Sequence, residues 1–109
     1  AEALIEYAGA AVDCGQAEEG VKALLRVVSK RPEDSRCRRL LAKALAADPS
    51  NNSLRAVLPP SASSAAAYAF VGTIAKDHSA LAVARGAYEV AVAQAPGSAS
   101  YALNLMHVL

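Results

Sequence analysis

Arg36, Arg39 and Lys43 recur at i, i+3 and i+7, a spacing that sets three cations on one face of a helix. Cations grouped in this way suit a carboxylate or an acidic peptide, and an arginine fork can hold a carboxylate bidentately. The same residues have a second reading as a solvated helix face, or as ion-pair partners for acids elsewhere in the chain. Other reactive side chains are sparse. The two histidines are His78 and His107 and the two cysteines are Cys14 and Cys37, with no HExxH, GxSxG or phosphate-loop pattern around them. His78 falls in AKDHSA, between two helical stretches, where a solvated polar residue is ordinary. No third group orients a cysteine–histidine pair, and four isolated ligands make no zinc motif. The chain therefore reads as a non-enzyme with no cofactor, no metal and no small-molecule substrate.

The charges behind the cationic triplet are segregated. Formal net charge is only +1, yet residues 1–21 hold Glu2, Glu6, Asp13, Glu18 and Glu19 and no base. Residues 22–55 hold Lys22, Arg26, Lys30, Arg31, Arg36, Arg38, Arg39, Lys43 and Arg55 against Glu33, Asp34 and Asp48. Either the acidic and basic parts pair with each other, or the basic part faces an acidic partner. Nucleic acid fits less well. RPEDSRCRRLLAK lacks aromatics for base stacking, and Glu33 and Asp34 interrupt it.

Helices must position these groups. Apolar residues make up 54% of the chain, and 27 of its 109 residues are alanine. Such a core suits close helix–helix packing better than a β-sandwich. Helical periodicity predicts helices over 2–14, 17–30, 35–47, 65–77 and 80–95, with a last one starting at Ser98 or Ser100 and running to Leu109. In the first, Leu4, Tyr7, Ala8 and Ala11 share the inward face. Gly15 offers a left-handed stop, Asp34 or Ser35 a cap for the third helix and Ser79 a cap for the fifth. Pro96-Gly97 ends that fifth helix. The stretch 48–64, DPSNNSLRAVLPPSASS, is the least regular. The longest apolar run falls short of the roughly 20 residues needed to cross a bilayer. The start has no basic n-region of a signal peptide, and the two distant cysteines indicate a reduced, cytoplasmic setting. The only methionine is Met106, so the chain is expected to be a piece of something longer.

Two windows, 1–34 and 65–98, repeat one another. Leu4, Tyr7, Ala8, Ala11, Gly20, Leu24, Val27 and Pro32 correspond to Tyr68, Val71, Gly72, Ala75, Ala84, Tyr88, Ala91 and Pro96. This pattern resembles the tetratricopeptide repeat, a helix–turn–helix unit of about 34 residues. Small residues let two helices approach, large ones fill the gaps beside the contact, and the proline stops the second helix. Val27 is larger than the family's usual alanine, and Ser79 stands where Gly15 makes the first turn. Residues 35–48 fit the first helix of a further repeat, with Arg38 in place of a large apolar residue. Its second helix is missing or degraded in 49–64, an irregular linker or a place near Asn51-Asn52 where residues have been lost. Residues 99–109 fit the opening of another repeat.

The resemblance implies an all-α fold, an α-α superhelix built as a right-handed solenoid of antiparallel helix pairs. It also implies a concave groove that binds a protein or peptide. The groove residues it implies are Glu2, Ile5, Gly9, Val12 and Asp13; then Arg36, Arg39, Lys43, Ala46 and Ala47. Ala66, Ala69, Thr73, Lys76 and Asp77 follow, with Ser100, Leu103 and His107 last. Some members clamp a C-terminal carboxylate, but Ile5 and Gly9 occupy the clamp positions here and neither side chain can donate; only Asn104 fits. The partner-binding candidates are thus Arg36, Arg39, Lys43, Thr73, Lys76, Asn104 and His107, in a scaffold or adaptor for an acidic partner. The alternative functions are an architectural segment whose groove is filled by Leu54, Val57 and Leu58 of its own chain, and an RNA-binding array. End units of such arrays need a polar outer face, which YALNLMHVL does not provide. The isolated chain should accordingly bind an apolar dye such as ANS; a stable monomer with no dye signal would overturn this expectation.

Overall fold

Each reversal of the chain has a local cause. Described over residues 2–109, the computed structural model begins with α1 (Glu2–Asp13), which ends where Gly15 turns left-handed at φ 79° and Gln16 N–H closes on the Ala11 carbonyl at 2.8 Å. Helix α2 (Ala17–Lys30) follows and ends at Lys30, with Arg31 as its C-cap just before Pro32. Asp34 then caps α3 (Ser35–Ala46), its carboxylate accepting the Cys37 N–H at 2.9 Å. Helices α5 (Ala65–Asp77), α6 (Leu81–Gln94) and α7 (Ala99–Val108) complete the regular elements. Ser98 caps α7 by accepting the Tyr101 N–H at 3.3 Å. No strand occurs among the described residues, and no helix is long and apolar enough to cross a membrane.

The periodicity predicts six of these helices to within a residue at each end. The turn between α5 and α6 departs from expectation. Ser79 is not a cap: it takes a left-handed conformation at φ 63°, and Ala80 precedes α6 without any side-chain hydrogen bond. The cause is the tight reversal, in which Ser79 N–H reaches Lys76 and Ala80 N–H reaches Ala75. Ser79 thus does the conformational task of Gly15, at the steric cost that a Cβ carries there.

The irregular stretch also folds. Asn52–Val57 form α4, a six-residue helix whose Leu54 is fully buried, and Ala62–Ser64 form a single 3-10 turn. The Asp48 carboxylate starts α4 by accepting the Ser53 N–H at 2.8 Å and the Ser50 hydroxyl at 2.8 Å, which hold its pKa below the usual carboxylate value. Asn51 is the anchor. It is 2% exposed, left-handed at φ 61°, and its amide Nδ2 donates to the Val83 carbonyl of α6 at 3.3 Å. Tyr68 of α5 secures the exit, donating its hydroxyl to the Leu58 carbonyl at 2.6 Å.

Packing is sequential. α1 lies along α2 and α5 along α6, the two tightest pairs, each antiparallel across a short turn. α2 also contacts α3 and α4, α3 contacts α1 and α5, and α7 rests on α6. Small residues set the pair spacing. Three ring carbons of Tyr88 stand 2.7–3.1 Å from where a Cβ on Gly72 would lie, and a Cβ on Gly20 would meet Val12 at 2.6 Å. Ala84, Ala87 and Ala91 flank Tyr88, all fully buried. In α1 Ala8 and Ala11 are buried as expected, but the face is turned so that Ile5 is fully buried and Tyr7 is 51% exposed. Filling the Gly72 contact should matter most. Gly72→Ala is expected to lower stability by about 1–3 kcal/mol, whereas Gly97→Ala, with open space around it, should change it by under about 0.5 kcal/mol; thermal melts of the two variants check this.

Candidate partner-binding surface

The rotation of α3 is set by what it buries. Cys37, Leu41, Ala44 and Leu45 are fully buried, and the Cys37 thiol donates to the Leu24 carbonyl of α2 at 3.4 Å. With that side fixed, Arg36, Arg39 and Lys43 emerge together on the exposed face, as their spacing predicts. Their surroundings are mixed. Arg36 donates to Glu2 of α1 at 3.1 Å, and Lys43 approaches Asp13 at 3.5 Å. These pairs are exposed, so each is worth at most about 1 kcal/mol and is screened by salt. Arg39 has no ion-pair partner among the described residues. The acidic and basic parts of the sequence thus pair at the two ends of the triplet and leave its centre uncompensated.

Beside Arg39 runs an open depression of about 300 Å³ between α3 and the α5–α6 turn. Arg39, Ala42, Lys43 and Ala46 form one wall, and His78, Ser79 and Ala80 the other. Arg39, Lys43 and the exposed imidazole of His78 therefore face a partly apolar floor of Ala42, Ala46 and Ala80. An anionic side chain entering there meets charge on one wall and hydrogen-bonding groups on the other.

The remaining candidates are placed differently. Thr73 is half-buried and its hydroxyl is committed, donating to the Ala69 carbonyl at 3.1 Å and meeting the Tyr88 hydroxyl at 2.9 Å. Lys76 is half-buried in the last turn of α5, with no ion-pair partner among the described residues. Asn104 and His107 lie on α7, which packs on α6, away from the α3 depression. Ile5 and Ala69, also implied to line a groove, are buried in the core instead. Arg38, which stands where an apolar residue is expected, covers apolar surface with its stem and places its guanidinium 5.4 Å from the Phe70 ring centroid. The sequence reading missed His78 as a lining residue, because its contribution depends on where the α5–α6 turn lands against α3.

The two cysteines lie in different surroundings. Cys14 is exposed and Cys37 buried, both free. Burial, with the Asp34 carboxylate adding, pushes the Cys37 thiol up to about 11. No group of three His, Cys, Asp or Glu side chains comes together among the described residues in a way that would hold a metal ion. No family model, curated protein or solved structure matches this chain. A thiol reagent at pH 8 is expected to modify Cys14 quickly and Cys37 only on unfolding. Because the folded Cys37 thiol keeps its proton above its ordinary value of 9.0, its stabilising contribution is complete below that pH and is lost as pH rises from about 9 to about 11.

Proposed function

We propose that the chain is a segment of a tetratricopeptide-like solenoid, a right-handed superhelix of antiparallel helix pairs, that acts as a scaffold binding an acidic protein or peptide. Two facts support the architecture. α1 packs along α2 and α5 along α6 as pairs, and α1, α3 and α5 also pack in series beside one another. The helix α4 takes the place of a shortened second helix in the middle unit, packing on α2 as such a helix would. The setting we propose is cytoplasmic, in keeping with two free cysteines.

The observation that carries the binding reading is Arg39, uncompensated between two ion-paired cations and opening onto the depression walled by Lys43 and His78. The architectural reading draws less support. Leu54 of the 49–64 segment is buried against α2, and no residue of that segment lines the α3 depression.

The chain and its Arg36→Glu/Arg39→Glu/Lys43→Glu variant should be compared by affinity capture from cell extract, with helicity followed by circular dichroism. Loss of specific partners at unchanged helicity is the expected result. Equal partner sets would remove function from the α3 surface.

A further inference from the structure

The free positive charge of this chain is concentrated on a second surface. Lys22, Arg26 and Lys30 stand at i, i+4 and i+8 along α2, and Arg31 follows at its end. All four are exposed, and none has an ion-pair partner among the described residues. Like charges one turn apart repel, so the stripe works against α2 unless something anionic answers it. It borders a flank of the α1–α2 pair that no α3 residue lines. There a trough of about 320 Å³ is lined by Leu4, Arg26, Val27, Lys30 and Arg31. A smaller one of about 160 Å³, sharing Leu4 and Arg26, extends to Tyr7 and Lys22. Tyr7 is 51% exposed at this rim, the aromatic side chain that the rotation of α1 turned out of the core.

We infer that this trough docks a peptide segment of a partner protein, one in which acidic residues flank an aliphatic or aromatic anchor. The anchor enters over Leu4 and Val27, and the acidic residues meet Arg26, Lys30 and Arg31. Charge complementarity fixes the sign of the occupant, and the shape of the trough fixes its class. Val27 is only 4% exposed and lies below the cations, so a flat lipid surface would touch the charges and not the apolar floor. A nucleic-acid strand would find Tyr7 alone for stacking and would run into Glu19, which lines the far end. A side chain on a peptide reaches the floor while its neighbours stay at the rim. The inference does not depend on the α3 surface binding anything.

Peptides of twelve residues selected from a random display library against the full chain provide the test. Binding of the selected peptides is then measured by fluorescence anisotropy to the chain, to Arg26→Glu/Lys30→Glu and to Arg39→Glu/Lys43→Glu. The expected peptides are rich in Asp and Glu around one apolar residue, and at least one group of them loses tenfold or more in affinity with Arg26→Glu/Lys30→Glu while keeping its affinity for the α3 variant. Exposed substitutions on α2 leave helicity intact, which circular dichroism verifies. Peptides displaced only by Arg39→Glu/Lys43→Glu would overturn this proposal and leave the α3 surface standing. No selected peptide, or tighter Arg26- and Lys30-dependent binding to phosphatidylserine vesicles or to a single-stranded oligonucleotide, would also overturn it.

Discussion

Close approach within each helix pair is the constraint on which the rest of the molecule depends. Tyr88 fills the space where Gly72 has no side chain, and Val12 does the same at Gly20. A helix that offers a gap on one face must receive bulk from its neighbour, so the small residues of α5 and α6 and the large Tyr88 are one design. The consequences spread outward. Tyr88, held deep, brings its hydroxyl to Thr73 at 2.9 Å. α5, held on α6, presents Phe70 to Arg38 and Tyr68 to the Leu58 carbonyl, so the charged face of α3 and the chain entering α5 are both registered against the same pair.

Charge is arranged on top of this frame and is not what builds it. The ion pairs between α1 and α3 are exposed and weak individually, while the core that sets both helices is apolar. Their effect is selective. Glu2 and Asp13 compensate the two ends of the α3 triplet, and α1 offers no acid to Arg39. The same segregation of charge that looks like simple neutralisation in the sequence therefore leaves cations without ion-pair partners among the described residues on α3 and, in larger number, along α2.

Much of this was legible in the sequence because it is written in local chemistry. Gly15, Asp34, Pro32, Ser98 and the Pro96-Gly97 step each act through the backbone of a few residues, so they locate helix ends without tertiary information. The exposed side of α3 was legible for a related reason: its apolar residues and its cations have the same period and opposite phase. What escaped depends on distant contacts. Whether Ile5 or Tyr7 faces inward turns on a rotation of α1 that α2 and α3 decide jointly. α4 is too short for periodicity to register, and Asn51 looks like a loop residue until Val83 is seen beside it. The left-handed Ser79 escaped because serine is usually read as a cap, and only the tightness of the reversal rules that out.

The brevity of α4 has a mechanical side. Packing is dense within the α1–α2–α3 half and within the α5–α6–α7 half, and thinner where the halves meet. There the chain relies on α3 against α5 and on the buried Asn51 amide, whose Nδ2 reaches Val83 while its oxygen, Oδ1, has no hydrogen-bond partner among the described residues. Unpaired buried acceptors cost free energy, so the seam is joined at a discount in strength. Local opening that spends least free energy begins at such a seam, and Asn51 stands as the latch between two halves that are each better bound to themselves than to one another.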